Sequence, residues 1–294
     1  MTAFELASYE PANREDYLRL LGEAWGERTM SPEEFDWWFE HNPAGSLMSV
    51  ARMGGRVVGV AAHSLCRMIL DGDEQLASFS VHATTHVSAR GQGIFAELER
   101  RNEREAAERG VAAVLAFASA PTAPIFLGPL QWTEISRLRV WARPLLSQAP
   151  GPASQARFGG ATDAAAGWPN HVARDAGHLN WRFVDSPRGY RIVRGEEGYG
   201  VVGRGRYRGI ETAVLADLVA APDEARALLT SSVAAAHGSR IMIALPAPEQ
   251  RTAFLSAGFL PAPYRLHFMG KALAGRLNTD PAAWRFTLGD TDFF

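Results

Sequence analysis

The chain has 294 residues, of which 47% are hydrophobic and 21% are charged, so it is globular and large enough for one big core or two modest ones. Its formal net charge of −2 excludes a general electrostatic attraction to nucleic acid or to an anionic membrane and favours a small-molecule partner. Cys66 is the single cysteine, which excludes an internal disulfide and a thiolate metal cluster and fits a reducing cytoplasm.

The sequence carries no signal for export or for membrane insertion. Its first residues lack a basic region followed by an apolar run, and nowhere do about 18 apolar residues occur in succession. We therefore expect a cytoplasmic protein without a membrane partner. We also expect no bound metal, because Asp290 and Asp292 are spaced carboxylates without further ligands nearby in the sequence.

The N-terminal region predicts a strand followed by two helices. Residues 4–9 are typical of a short strand, and apolar residues at helical spacing after Asn13 predict the first helix. Ser31 and Glu34 have the spacing of a capping box, which predicts the start of a second helix. That second helix carries four aromatic residues, Phe35, Trp37, Trp38 and Phe39. Adjacent helix positions do not share a face, so at least one of these rings is expected to meet a cleft or the other half of the chain, and packing in the core is the default alternative.

Three strands and a helix follow in the order of a strand meander. Residues 47–53 and 57–67 flank Gly54-Gly55 and predict a hairpin, and residues 77–87 predict a third strand. A charged helix is expected over residues 94–109. The small and apolar run 111–118 then predicts a strand that is buried on both faces, as in parallel pairing.

The junction between the third strand and the charged helix is the most informative segment. It reads Arg90-Gly91-Gln92-Gly93-Ile94-Phe95. Two glycines allow a tight turn that brings amide N–H groups close to a ligand, and the start of the helix directs further unpaired N–H groups to the same point. The segment therefore predicts a binding site for a pyrophosphate.

This order of elements, with the glycine loop in this place, resembles the GNAT superfamily of acyl-CoA-dependent N-acyltransferases. The resemblance covers about residues 4–145 and rests on the segment from Thr85 to Phe95. Arg90 and Gly93 match the family pattern, whereas Phe95 stands where a small residue is usual. Further along, Pro121-Thr122 stands where many members have an Asn, and Leu130-Gln131-Trp132 stands where they have Leu-Gly-Phe.

The resemblance implies a mixed α/β GNAT fold and the binding of acetyl-CoA as acyl donor. Backbone amides of the glycine loop would hold the CoA pyrophosphate, and the end of the third strand would pair with the pantetheine arm. The cofactor-binding residues implied are Thr85, His86, Val87, Arg90, Gly91, Gln92, Gly93, Ile94, Phe95 and Thr122. An amine acceptor would attack the thioester directly, and an amide near Thr85 would stabilise the oxyanion.

The groups that transfer protons are harder to assign. Many GNAT members return a proton to the thiolate through a Tyr after the buried strand, but residues 121–132 contain no tyrosine and have Phe126 instead. His82 and His86 fall on one face of the third strand as candidate bases. A core histidine satisfied by hydrogen bonds is the favoured alternative for His82, whereas His86 is nearer the loop. Glu134 is a second candidate base. The alternative interpretation is that Glu134 has no catalytic role and lies at the surface or at the start of a helix.

The second half of the sequence predicts a weaker copy of the first. Residues 1–145 form the predicted acyl-CoA-binding domain, residues 146–170 a linker rich in Pro, Gly, Ala and Ser, and residues 171–294 a GNAT-like domain. In that last domain the segment Val219-Ala220-Ala221-Pro222-Asp223 occupies the place of the glycine loop and contains no glycine. We interpret it as a degenerate half that completes the acceptor site without binding cofactor.

Three functions fit these observations. The first is transfer of an acetyl or other short acyl group from acyl-CoA to the amine of a small molecule. The second is an acyl-CoA sensor without catalysis, motivated by the missing tyrosine and by Phe95. The third is an aminoacyl-tRNA-dependent transferase, since tandem GNAT-like halves occur in that class, although the acidic charge balance opposes it. The acceptor, the acyl length and the oligomeric state stay open.

Overall fold

The computed structural model describes residues 4–26, 29–145, 151, 153–154, 156–160, 168–207, 209–221 and 224–292. The chain divides into two compact units, and each unit is discontinuous in sequence. The first unit comprises Met1–Met68, Asp73–Ser136 and His267–Pro281, and the second comprises Ile69–Gly72, Arg137–Leu266 and Ala282–Phe294. The domain boundaries predicted from the sequence stay predictions. Much of the predicted linker, namely residues 146–150, 152, 155 and 161–167, lies outside the described residues.

The secondary structure begins with the predicted order of elements. In the described ranges the strands are β1 (Glu5–Ser8), β2 (Ser46–Met53), β3 (Arg56–Leu70), β4 (Asp73–Thr85), β5 (Ala113–Ala118), β6 (Thr133–Pro144), β7 (His171–Val172), β8 (Arg191–Arg194), β9 (Tyr199–Tyr207), β10 (Ile210–Val219), β11 (Ile241–Ala244) and β12 (Leu260–Ala272). The helices are α1 (Arg14–Trp25), α2 (Pro32–Phe35), α3 (Ile94–Glu108), α4 (Ala123–Leu127), α5 (Ala176–Leu179), α6 (Ala225–Ala235) and α7 (Arg251–Ser256).

The sheet of the first unit is mixed, as expected for an α/β fold. Its strands follow the order β1-β2-β3-β4-β5, and the C-terminal part of β12 lies next to β5. Strands β1, β2 and β3 pair antiparallel, whereas β4 and β5 pair parallel through Ala77–Ala113 to Phe79–Leu115. All six residues of β5 are buried, which confirms the prediction for this apolar run.

Helix α3 connects the parallel strands and packs closely on the sheet. Its apolar face buries Ile94, Leu98 and Ala106. The close approach requires Gly59 on β3, because a Cβ atom there would lie 2.6 Å from the Cγ2 atom of Ile94. The position of α3, and with it the glycine loop at its start, is therefore fixed by tight packing.

The second predicted helix is short and continues as a π-helical turn. The capping box is present, since Ser31 Oγ accepts from Glu34 N at 3.1 Å and Glu34 Oε2 accepts from Ser31 N at 2.9 Å. After α2 the chain forms a π turn over Asp36–Glu40, which the bond from His41 N to Asp36 O closes at 2.9 Å. The aromatic residues of this turn, Trp37, Trp38 and Phe39, are all buried.

The second unit has its own mixed sheet, with a three-stranded meander followed by a helix and a parallel strand. Strands β8, β9 and β10 pair antiparallel, β10 and β11 pair parallel with α6 between them in sequence, and β11 pairs antiparallel with the end of β6. A capped helix again precedes the meander: Asp175 accepts from His178 N, and α5 continues as a π turn over Asn180–Val184. Both units therefore have a short capped helix that continues as a π turn before the meander.

Candidate functional site

The glycine junction lies where β4 ends and α3 begins. Strand β4 stops at Thr85, slightly earlier than predicted, and His86 caps a short turn over Val87–Ala89. Gly91 and Gly93 have φ angles of +78° and +79°, a region that residues with a Cβ atom rarely adopt. Both glycines are exposed, and an added Cβ atom at either would meet no other atom within 4 Å. The turn therefore needs glycine for its backbone shape and leaves open space beside it.

The amide N–H groups of this junction are available to a ligand. From Gly91 to Ala96 no backbone amide donates a hydrogen bond to another group in the part of the chain that the structure describes. The next amide, Glu97 N, is the first to bond within the helix, to Gly93 O at 3.1 Å. Consecutive unpaired amides at the start of a 15-residue helix provide an electropositive site for an anion.

Two side-chain groups at the end of β4 add to this site. Arg90 donates from Nε to the carbonyl oxygen of Thr85 at 3.2 Å, and it is exposed, so its terminal nitrogens face solvent. The hydroxyl of Thr85 is buried and has no hydrogen-bond partner among the described residues. A buried hydroxyl normally has a partner, and that of Thr85 is available to a group bound at this strand end.

His86 is held in place by the turn that it caps. Its Nδ1 atom accepts from Ser88 N at 3.2 Å and lies 2.7 Å from Ser88 Oγ. Because the backbone N–H donates to Nδ1, the neutral ring carries its proton on Nε2, which lies 3.5 Å from Glu23 Oε2. Both ring nitrogens therefore already have neighbours, and the role of His86 as a base stays a prediction.

Strands β4 and β5 separate before they reach the loop. Their pairing ends at Phe79 and Leu115, although β4 runs on to Thr85 and β5 to Ala118. His82 has a φ of +49° in this separated part of β4 and is buried among aromatic rings, including Trp38 at 5.1 Å between centroids. The region between these two unpaired strand ends is called the cleft below, and the unpaired amides of the loop follow the end of β4.

A carboxylate and an imidazole pair on the other side of β5. Glu134 Oε1 lies 2.5 Å from His267 Nδ1, where β6 begins and where β12 pairs with β5. His267 stands opposite Ala118, the last residue of β5. Its side chain is 16% exposed, and its Nε2 atom has no partner among the described residues. Glu134 thus lies on a strand, beside a histidine that the sequence did not single out.

The N-terminal part of the chain matches a known family. Residues 5–132 match the family model described as an acetyltransferase (GNAT) domain. These residues form a GNAT domain. The match includes the glycine loop, the separated strands and helix α4. A comparison of the sequence with curated proteins finds no match.

Solved structures have the same fold over nearly the whole chain. Eis1 from Mycobacterium abscessus is 17% identical, with a TM-score of 0.60, over 92% of this chain and 74% of that protein. A GCN5-related N-acetyltransferase from Kribbella flavida is 15% identical, with a TM-score of 0.61, over 92% of this chain and 71% of that one. N-myristoyltransferase from Saccharomyces cerevisiae, solved with myristoyl-CoA, is 12% identical, with a TM-score of 0.68, over 92% and 83% of the two chains. At these identities the likeness concerns the fold.

In the GNAT domain, Phe95 belongs to the packing of helix α4. Its ring lies 5.5 Å from that of Phe126, and Phe126 lies 4.7 Å from Trp132, between centroids. Thr122, just before α4, donates from Oγ1 to the carbonyl oxygen of Ser119 at 3.1 Å. Phe95 therefore takes the place of a small residue by filling a hydrophobic cluster, and its amide stays unpaired.

The GNAT domain also contains a polar network beneath α3 with a fully buried ion pair at its centre. His63 Nε2 lies 2.9 Å from Glu99 Oε2, and both side chains are inaccessible to solvent. Ser80 Oγ donates to Glu99 Oε1 at 3.0 Å, and Ser78 Oγ lies 3.3 Å from His63 Nδ1. The network ties strands β3 and β4 to the helix that begins at the glycine loop.

The corresponding junction in the second unit has no glycine turn. Strand β10 ends at Val219, and α6 begins at Ala225. Pro222 and Asp223 between them lie outside the described residues.

Within the described ranges, no helix of either unit combines the length and the apolar composition that crossing a membrane requires.

Proposed function

We propose that the chain is an acyl-CoA-dependent N-acyltransferase that moves an acetyl or other short acyl group to the amine of a small-molecule acceptor. One observation carries the proposal: the consecutive unpaired amides from Gly91 to Ala96, at the start of α3. The GNAT match and the α/β fold support it, because that family acts on acyl-CoA.

In this proposal the loop amides bind the CoA pyrophosphate. Gly91, Gln92, Gly93, Ile94 and Phe95 offer N–H groups, and Arg90 adds a positive charge beside them. Thr85, His86 and Val87 lie beyond Phe79, the last residue of β4 that pairs with β5, so we place the pantetheine arm along this unpaired end of β4. The hydroxyl of Thr85 would then acquire a partner, and Thr122 would border the far side of the cleft.

The chemistry needs no covalent enzyme intermediate. The lone pair of the acceptor amine attacks the thioester carbonyl, a C–N bond forms, and the C–S bond breaks as CoA leaves as a thiolate. The amine loses one proton, which a base must accept, and the thiolate takes up one proton from an acid or from water. An unpaired amide near Thr85 would stabilise the oxyanion.

We propose that His267 supplies the base and that Glu134 positions it. A carboxylate that accepts the Nδ1 proton fixes the ring in the tautomer whose Nε2 accepts a proton. Glu134 is a base predicted from the sequence, whereas this proposal assigns that role to His267, the partner of Glu134. His86 is the alternative base, because it lies closer to the loop in sequence. We place it second because its Nδ1 atom already accepts a hydrogen bond from Ser88 N.

We further propose that the second unit is a degenerate GNAT-like copy. The repeated capped helix and π turn support common descent of the two halves, and the glycine-free end of β10 fits a half without cofactor. Its role would then be to shape the acceptor site.

Turnover with acetyl-CoA tests the proposal. Thiol release is measured with a panel of small amines, and the product is identified by mass spectrometry. We expect an acetylated amine and one CoA per product. Binding of acetyl-CoA without turnover across the panel would favour the sensor, and specific retention of aminoacyl-tRNA on filters would favour the tRNA-dependent transferase.

A further inference from the structure

A pair of stacked phenylalanines closes the cleft between β4 and β5 at its inner end. Phe79 is the last residue of β4 that pairs with β5, and its partner there is Leu115. Phe117 lies two residues after Leu115 on β5. Their ring centroids are 5.4 Å apart, and the ring planes differ by 11°. Both side chains are more than 90% buried, so the stack lies inside the unit.

The stack lies on the face of the sheet that is opposite to α3. Ser78 and Ser80, the neighbours of Phe79, point towards the buried network with Glu99 of α3. Because side chains alternate along a strand, Phe79 points to the other face. Phe268 of β12 extends the aromatic surface there, with its ring centroid 5.3 Å from that of Phe117.

An alkyl chain cannot pass between the two rings. Carbon atoms in contact lie about 3.5–4.0 Å apart, so a chain between two parallel rings would need a separation of about 7–8 Å. The other face is no easier route, since it holds the hydrogen bonds that join Ser80 and His63 to Glu99. A chain inserted there would break buried hydrogen bonds and place methylenes against a carboxylate.

We infer that Phe79 and Phe117 restrict the acyl donor to short chains, because they end the cleft in which the thioester would lie. The inference rests on the proposed function, in which the loop amides bind the pyrophosphate and the arm enters between the separated strands. It assigns these two residues as determinants of acyl length, with acetyl-CoA accepted and chains of about eight carbons rejected.

The test compares the affinities of CoA, acetyl-CoA and octanoyl-CoA by calorimetry for the full chain and three variants. In the wild type we expect octanoyl-CoA to bind at least tenfold more weakly than acetyl-CoA. Phe117→Val and, separately, Phe79→Leu should raise the affinity for octanoyl-CoA at least tenfold and leave that for acetyl-CoA within threefold. Phe268→Leu, which alters a neighbouring ring outside the β4–β5 pair, should preserve the wild-type discrimination.

The outcomes separate this inference from the proposed function. Equal wild-type affinities for acetyl-CoA and octanoyl-CoA would overturn the inference and leave the proposed function intact. If folded Phe79→Leu, the milder change, and folded Phe117→Val both kept the wild-type discrimination, the inference would also be wrong. No binding of CoA or acetyl-CoA by the wild type would contradict the proposed function itself.

Discussion

The carboxylate of Glu134 lies 2.5 Å from the Nδ1 atom of His267, and this pair stands beside the last residue of β5. If His267 accepts the proton of the amine, His267→Asn should lower kcat by about 100-fold or more, because general base catalysis contributes about 10²–10⁴. The KM for acetyl-CoA should change less than threefold. Glu134→Gln should lower kcat less, and Glu134→Asp should recover part of the loss.

A control for this prediction lies on the same strand and the same face. Lys271 is four residues from His267 on β12 and pairs with Glu103 at 2.6 Å. Lys271→Gln should leave kcat within twofold of the wild type. Full activity of His267→Asn would exclude His267 as the base and return attention to His86, whose replacement by Asn is the parallel measurement.

The pair of His63 and Glu99 should matter for stability. Glu99→Ala removes the acceptor of both His63 and Ser80, which leaves buried polar groups without a partner. We expect the free energy of unfolding to fall by about 3 kcal/mol or more in denaturant titrations. Glu105→Ala on the same helix breaks an i,i+4 pair with Arg109 and should cost about 0.5 kcal/mol or less. Equal losses for the two variants would contradict a structural role of the buried network.

The second unit should lose stability in mild acid through His178. Burial lowers the pKa of His178 from 6.5 to about 4, with Arg174 and Arg182 acting in the same direction and Asp290 opposing it. Between these values the unfolded chain binds a proton and the folded chain does not, so the unfolding free energy falls as the pH drops from about 6.5 towards 4.

The measurement is the difference between the wild type and His178→Gln across that range. One pKa unit corresponds to about 1.4 kcal/mol, and the ring is partly exposed, so we expect a pH-dependent difference of about 1–2 kcal/mol. The backbone amide of residue 178 keeps its bond to Asp175 in the variant. Parallel pH profiles for the two proteins would show that His178 does not titrate in this way.

Local signals explain which parts of the fold could be predicted. The capping box at Ser31 and Glu34, the apolar run of β5 and the glycine junction depend on neighbouring residues, and all three are present. The GNAT resemblance and the mixed α/β fold are likewise confirmed. These features share one property: a few adjacent residues determine backbone geometry or burial.

Long-range contacts explain what sequence reasoning missed. His267 meets Glu134 across 133 positions, and no local pattern marks either residue as a partner of the other. The stack of Phe79 on Phe117 depends on the strand register, and the π turns depend on i,i+5 bonds such as that from His41 N to Asp36 O. Glu134 itself lies on β6, and the alternation of side chains along that segment was the sequence signal that could have predicted a strand there.

The central claim is that the amides of the glycine junction bind the diphosphate of CoA. Gly93→Val would place a side chain in the open space beside these amides, so calorimetry should record CoA binding weakened by about 30-fold or more. Gly110→Val is the matched control, with a φ of +75° and equal open space at the other end of α3, and it should bind CoA as the wild type does. Unchanged CoA affinity in a folded Gly93→Val variant, or equal weakening in both, would contradict the account.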